Sequence, residues 1–188
     1  QIMSKFLRYA AVGAAVASFG IASGAQAATT DSANVTATIL TALSVDVDAT
    51  ADTLNFGTIA DGGIAADASL TVDTTGAAGA CPTNLICGGS TAAPLFHVSG
   101  LAGKAVQISF VNTTETLSYD TTINGGPAPA SFASAMTAGT FTTDATSNAV
   151  LLDAGGLADF SVGGTLTVHP NMAPGVYTGT LSVSVAYN

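Results

Sequence analysis

Residues 177–187 read Tyr-Thr-Gly-Thr-Leu-Ser-Val-Ser-Val-Ala-Tyr and alternate between two kinds of side chain without a break. One set is Thr, Ser and Ala, which are small and mostly polar. The other set is largely apolar, and this period of two is typical of a β-strand with one buried face. The pattern predicts a final strand over 176–187 whose inward residues are Tyr177, Gly179, Leu181, Val183, Val185 and Tyr187.

The rest of the chain carries the same period over shorter stretches. Between 35 and 47 the odd positions are mostly apolar, and Leu40 and Ala42 interrupt the polar set between them. Gly, Asn, Asp and Pro, which favour turns, separate these stretches. We expect an all-β chain folded as a β-sandwich, with a loop over 76–89. Further strands are predicted at 54–59, 68–73, 95–99, 105–111, 115–120, 132–136, 140–143, 149–152 and 158–169.

The charge balance excludes several classes of partner. The chain has 188 residues, with 12 Asp plus Glu against 3 Lys plus Arg, and a formal net charge of −9. Lys5 and Arg8 lie in a leader, so Lys104 is the one cation expected in the mature protein. A surface without Arg neutralises neither nucleic-acid phosphates nor anionic lipid headgroups. We therefore expect no nucleic-acid partner and no peripheral membrane binding.

Residues 1–27 have the features of a signal peptide that is removed on export. A short basic start is followed by an apolar run and then by Ala25-Gln26-Ala27, an A-x-A cleavage motif. Cleavage is expected between Ala27 and Ala28. The apolar run of about 16 residues is rich in Ala and Gly, which is short and weakly hydrophobic for a transmembrane helix. No membrane span is expected in the mature form.

The two cysteines, Cys81 and Cys87, are close in sequence. An exported protein meets oxidising conditions, under which such a pair forms a disulfide. A zinc site would need two further ligands, and His97 and His169 are remote in sequence. A redox-active pair would be expected in a Cys-x-x-Cys motif or at a helix N-terminus. The sequence therefore predicts a Cys81–Cys87 disulfide that closes a small surface loop.

The sequence contains no recognisable catalytic arrangement. A nucleophilic hydrolase needs a base beside its Ser or Cys, and neither histidine lies in such a motif. The run Asp46, Asp48 and Asp52 is interpreted as solvated carboxylates, because it lacks the glycine and the final glutamate of an EF-hand calcium loop. We expect no enzymatic activity, no metal and no cofactor.

Both ends of the mature chain carry motifs found together in one group of bacterial proteins. Near the start are Asn34-Val-Thr-Ala-Thr-Ile-Leu40 and Leu54-Asn-Phe-Gly57. Near the end are Ala173-Pro-Gly175 and Tyr177-Thr-Gly-Thr180, with Tyr187 next to last. These motifs resemble those of the chaperone–usher pilins, more closely the archaic and spore-coat-U-like branch and a related family of secreted β-proteins of unknown function.

This resemblance implies an immunoglobulin-like β-sandwich that lacks one strand and is completed by a donor strand from a neighbouring subunit. The implied organisation is a donor-strand extension over 28–40 followed by a single sandwich domain over 41–188. The inward donor residues would be Val35, Ala37 and Ile39. The strand that faces a chaperone or the next subunit would contain Gly175, Tyr177, Leu181, Val183, Val185 and Tyr187.

The function implied is that of a structural subunit of an extracellular fimbria or filament, with a role in surface attachment or biofilm. Its partners would be other copies of itself, in a head-to-tail polymer, together with a periplasmic chaperone and an outer-membrane usher. Export would run through the periplasm to the surface of a Gram-negative cell. The alternative is that 35–47 is one strand folded into its own domain, which would make a self-complete adhesin or carbohydrate-binding module.

Overall fold

The computed structural model describes residues 33–188, so the expected leader, its cleavage site at Ala27 and Ala28, and residues 28–32 of the extension lie outside the described residues. The described chain falls into two units, one ending at Thr38 and the other spanning Ile39–Asn188. The second unit confirms the predicted all-β fold, with a short 3-10 helix at Thr146–Asn148 and no α-helix among the described residues. Its strands are β1 Ser44–Val47, β2 Thr58–Asp61, β3 Ala68–Val72, β4 Leu85–Gly88, β5 Leu95–Ser99, β6 Ala105–Phe110, β7 Thr114–Tyr119, β8 Ala135–Thr143, β9 Ala149–Leu151, β10 Leu157–Val168, β11 Tyr177–Thr178 and β12 Val183–Tyr187.

The longest strand, β10, joins the two halves of the main sheet. Its first half pairs antiparallel with β5, and its second half pairs antiparallel with β3. On its other side β10 pairs with β8, and the sheet continues through β7 to β11. Beyond β5 lies β1. Every other strand of the main sheet is therefore hydrogen-bonded to β10 directly or through the strands between them.

Two smaller antiparallel sheets complete the fold. One has the order β12-β6-β9, and the other is the pair β2-β4. Phe96 and Phe160 of the main sheet pack in one cluster with Val106 and Ile108 of β6, so the main sheet and the β12-β6-β9 sheet face each other as a sandwich. Leu70 and Leu166 form a second cluster with Leu85 of β4. The hydrophobic core thus has two parts, one under each half of β10.

A bulge in β8 changes which side chains face the core. Gly163 and Thr165 are two positions apart in β10, but their partners in β8, Thr142 and Gly139, are three positions apart. Thr140, within this extra step, has a φ of 49°. An extra residue shifts the alternation of a strand by one position. Ala138 before the bulge and Phe141 after it therefore both point toward the core, and Phe141 contacts both clusters.

Many of the predicted strands are confirmed, with ends that differ by about a residue. The stretches predicted at 95–99, 105–111, 115–120, 149–152 and 158–169 correspond to β5, β6, β7, β9 and β10. The stretches predicted at 132–136 and 140–143 are instead one strand, β8, interrupted by its bulge. The loop expected over 76–89 contains β4, which sequence analysis missed because it is short and lies among glycines.

The prediction of one strand over 176–187 is wrong. Tyr177 and Thr178 pair with β7 in the main sheet, whereas Val183 to Tyr187 pair with β6 in the opposite sheet. The alternation of inward and outward side chains nevertheless continues from β11 to β12, because apolar side chains of both strands pack against the core clusters. The strand expected within 35–47 also begins late, at Ser44, and residues 33–43 belong to no strand.

The predicted disulfide is confirmed. Cys81 and Cys87 are bonded, and Cys87 lies in β4. Ile59 of β2 pairs with Cys87, so the disulfide ties the edge of the β2-β4 pair to the preceding loop. Cys87 packs against the first core cluster, which contains Leu85.

Replacing both cysteines with serine should lower the free energy of unfolding by about 2 kcal/mol, the loop-entropy contribution of a disulfide that closes roughly seven residues. Urea denaturation of the mature chain measures this loss. Reducing the wild-type protein should reproduce the loss of the Cys81→Ser, Cys87→Ser variant, and the variant itself should be insensitive to reductant. Equal stability of the oxidised, reduced and substituted proteins would contradict the expectation.

Candidate functional site

An open groove of about 430 Å³ lies where the chain after β1 passes the segment that contains β11. We call it the edge groove. Its apolar lining comes from both core clusters, so the groove opens directly onto the interior of the sandwich. The main apolar side chains are those of Leu54, Phe56, Phe96, Leu117, Phe141 and Leu181.

The floor of the edge groove is made of residues that the sheet places close together. Phe56 and Phe96 are buried, and Phe96 stacks on Phe160 with ring centroids 5.2 Å apart. The bulge in β8 turns Phe141 toward the same floor, where its ring lies 5.5 Å from that of Phe110. An apolar floor of this kind favours an apolar occupant, because its surface gains free energy on leaving water.

The first wall of the edge groove consists of Val47 and residues 52–54, which a turn at the end of β1 connects. The Oδ1 atom of Asp48 accepts hydrogen bonds from the Thr50 backbone N–H at 2.7 Å, the Thr50 hydroxyl at 2.7 Å and the Ala51 N–H at 3.0 Å. The backbone N–H of Leu95 donates to Ala51 O at 2.8 Å. These bonds fix the path of the chain from Val47 toward Leu54.

The second wall is the stretch that changes sheets. After β11 the chain passes close to β7, since a Cβ at Gly179 would lie 2.9 Å from Thr116 O. Residues 179–182 belong to no strand, and the next pairing begins at Val183. Within this stretch, Ser182 O accepts a hydrogen bond from the Val111 N–H at 3.0 Å. A segment that lies outside any sheet beside an apolar groove is a place where a strand can be added.

A histidine bridges two carboxylates on the outer face of the main sheet, beside the first wall. His97 of β5 lies 2.7 Å through Nδ1 from Asp159 Oδ1 and 3.1 Å through Nε2 from Asp48 Oδ2. Asp46 is directly opposite His97 in the register of β1 and β5. A neutral imidazole has one N–H, so it can donate to one of the two carboxylates, whereas the imidazolium donates to both.

The titration of this cluster follows from the same contacts. Hydrogen bonds to Asp159 and then to Asp48 raise the pKa of His97 above its ordinary value of 6.5. The Thr50 hydroxyl, followed by His97, lowers the pKa of Asp48 well below its ordinary value. Both shifts favour the charged pair, which holds the turn after β1 against β5.

The predicted donor residues lie on an exposed part of the chain. Val35 is 94% exposed and Ile39 is 92% exposed, and Ala37 between them is exposed as well. Residues 33–38 form the described part of the first unit, and Ile39 begins the second. None of the three lies in a strand. Their assignment as a donor strand stays a prediction.

The predicted C-terminal residues are divided between the second wall of the edge groove, the turn before β11 and the core. Tyr177 and Leu181 line the edge groove, and the Tyr177 hydroxyl donates to Ala173 O at 2.8 Å. Gly175 lies in the turn before β11, where an added Cβ would collide with the Tyr119 ring. The side chains of Val183, Val185 and Tyr187 pack into the second core cluster. Their role in binding a chaperone stays a prediction.

Sequence analysis missed the bridge between His97, Asp48 and Asp159. Alternation places each of these residues on the polar face of its strand, and that much could be read from the sequence. The sequence does not show which strands are neighbours. Asp48 and Asp159 are far apart in the chain and come together only through β5. The second histidine, His169, contacts Asp67 at 2.8 Å.

Within residues 33–188, no helix is long and apolar enough to cross a bilayer. Within the same residues, no group of three or more His, Cys, Asp or Glu side chains is placed to hold a metal ion.

Raising the pH should remove the stabilisation contributed by His97. A histidine with a raised pKa in the fold contributes stability that is complete below its unfolded value of about 6.5 and is lost as pH rises through the folded value. The urea midpoint of the wild type should therefore exceed that of His97→Gln at about pH 6, and the gap should close by about pH 9.

His169→Gln is the matched control for this experiment, because it removes the other histidine and leaves the bridge at His97 in place. Replacing His97 with Gln in the His169→Gln background should remove the same pH-dependent difference in midpoint. A constant difference between the wild type and His97→Gln over the whole pH range would contradict the role assigned to the bridge.

The chain was compared with known proteins. A family model described as Domain of unknown function (DUF4402) matches residues 45–187, which extend from β1 to β12 and include both walls of the edge groove. A search of curated proteins and a search of solved structures each found no match.

Proposed function

We propose that this chain, which belongs to the DUF4402 family, is the main structural subunit of an extracellular fimbria that assembles by donor-strand exchange. In such a polymer the N-terminal extension of one subunit fills the edge groove of the next. The filament would serve surface attachment or biofilm formation. The observation that carries the proposal is the edge groove, which opens onto both core clusters beside a segment that belongs to no strand.

The extension has the side chains that such a groove requires. Val35, Ala37 and Ile39 alternate with Thr36 and Thr38. In a strand, residues two apart lie roughly 6.7 Å from each other on the same face. The three apolar side chains would enter the groove while the threonines stay outside. Burying a valine or isoleucine side chain contributes about 1.5–3 kcal/mol, so this occupant would gain free energy mainly from its apolar face.

Charge does not oppose this pairing. Residues 33–40 carry no ionisable side chain, although the mature chain is acidic. The rim of the edge groove includes Asp52 and Glu115. An acidic rim repels carboxylates, so residues 33–40 are the part of the extension that can enter the groove without a like-charge penalty, and Asp31 lies before them.

The pairing would produce a filament. The extension and the edge groove are different surfaces of one chain, so the contact between two copies is heterologous, and a heterologous contact that does not close into a ring propagates. Until the next subunit arrives, an apolar groove beside unpaired backbone would favour aggregation. This supports a periplasmic chaperone that covers the groove and an outer-membrane usher at which subunits are exchanged.

Replacing Ile39 with aspartate should abolish assembly, because a carboxylate would have to be buried in the edge groove without a partner. Thr38→Asp is the matched control, since the same charge at the neighbouring position would face solvent. Fibres sheared from cells and run on a denaturing gel without boiling should give a ladder of multimers for Thr38→Asp and monomer for Ile39→Asp. Equal ladders from the two variants would contradict the alternation on which the proposal depends.

Deleting residues 28–40 should leave a folded chain that does not polymerise, because the exposed residues of this stretch add little to the core. A synthetic peptide of residues 28–40 should then bind the deleted chain and raise its melting temperature, as a ligand specific for the folded state does. A peptide with aspartate at position 39 is the control and should not bind. Multimers formed by the deleted chain would overturn the proposal. A wild-type chain that runs as monomer in unboiled and boiled samples would instead indicate a self-complete adhesin or carbohydrate-binding module.

A further inference from the structure

The hydroxyl of Tyr187 joins two segments that are far apart in the sequence. It donates a hydrogen bond to Thr41 O at 2.9 Å and accepts one from the Leu101 backbone N–H at 2.7 Å. Thr41 lies just before β1, at the point where the extension meets the domain. Leu101 belongs to the turn after β5. We call Thr41 the root of the extension. The Tyr187 hydroxyl therefore ties this root to the turn that follows β5 of the main sheet.

The position of the Tyr187 ring is fixed by the fold. A Cβ at Gly100 would lie 2.5 Å from the Tyr187 hydroxyl oxygen, 2.9 Å from Leu43 Cδ1 and 3.0 Å from Leu152 Cδ1. Only glycine leaves room for these three side chains to meet. Tyr187 also pairs through its backbone with Val106 of β6. The residue is thus held through its backbone by β6 and through its hydroxyl by the turn after β5.

The root of the extension and the edge groove lie at opposite ends of β1. Ser44, next to the root, pairs with Ser99, and Val47, at the groove, pairs with Phe96. Four residues of strand separate the two ends by roughly 10 Å. Because β1 runs from Ser44 to Val47, the chain moves toward the groove along β1. Thr41 therefore lies at the end of β1 that is far from the groove.

We infer that Tyr187 is a positioning residue that holds the start of its own domain, at Thr41, against the turn after β5, at the end of β1 far from the edge groove. The partner it serves is a second copy of this chain, whose edge groove receives the extension. This inference rests on the proposed function. In a polymer, the hydrogen bond at Thr41 O restrains the joint between successive subunits, so the stiffness of the fibre depends on the Tyr187 hydroxyl.

The test is Tyr187→Phe in the mature chain, which keeps the ring in the core and removes both hydrogen bonds. Hydrogen exchange followed by mass spectrometry should be roughly tenfold faster at Leu101 and faster over residues 41–44, the size expected for the loss of one hydrogen bond. Electron microscopy of the assembled fibres should give a shorter persistence length.

Two further variants keep the test decisive. Tyr119→Phe removes a hydroxyl from a tyrosine that lies far from Thr41 in the fold, and it should leave the Leu101 exchange and the persistence length as in the wild type. Gly100→Ala displaces the Tyr187 hydroxyl by a separate route and should reproduce the Tyr187→Phe phenotype, faster exchange and more flexible fibres.

The outcomes separate this inference from the proposed function. Unchanged exchange at Leu101 in Tyr187→Phe would overturn the anchoring, and fibres as stiff as the wild type would overturn the positioning role. If the wild-type chain forms no fibres, the proposed function fails. Amide hydrogen exchange over residues 41–44, compared between the wild-type and Tyr187→Phe monomers, would then still decide whether the Tyr187 hydroxyl holds Thr41.

Discussion

The structure depends on the hydrogen bonds of one long strand, β10. Its two halves pair with β5 and β3 on one side, and β8 pairs along the other side. Side chains of the first half enter one core cluster and those of the second half enter the other. A domain that contains little charge and no tryptophan obtains its stability from this kind of burial, because few other strong interactions are available to it.

The same arrangement leaves an open groove at one edge of the sandwich. The chain reaches β7 at β11 and then crosses to β6 at β12, and between them it belongs to no sheet. Buried or half-buried backbone needs hydrogen-bond partners, and apolar floors need cover. The edge groove combines both needs at one place. A single added strand would satisfy them together, since its backbone would pair with the wall and its alternate side chains would fill the floor.

Periodicity was sufficient to predict the all-β class and most strand positions, because each strand buries one face. It failed where two strands share an alternation but not a sheet, as in 177–187, and where a bulge at Thr140 shifts the alternation within one strand. It also failed at Leu85–Gly88, whose pairing with β2 is supported by a disulfide rather than by a long apolar pattern. The edge groove and the bridge at His97 could not be predicted, because both depend on which strands are neighbours.

Three features of the described chain meet at β1, a strand of four residues. The Tyr187 hydroxyl holds Thr41 before its first end, the Asp48 turn at its other end directs the chain into a groove wall, and His97 ties that turn to β5. A short edge strand has few ladder bonds of its own, so side-chain contacts determine how firmly it is held. In the proposed polymer, a force on the extension would enter the domain at Thr41 and pass both along β1 and through the Tyr187 hydroxyl. The strand that follows the extension and the wall proposed to receive one would therefore be mechanically linked within each subunit.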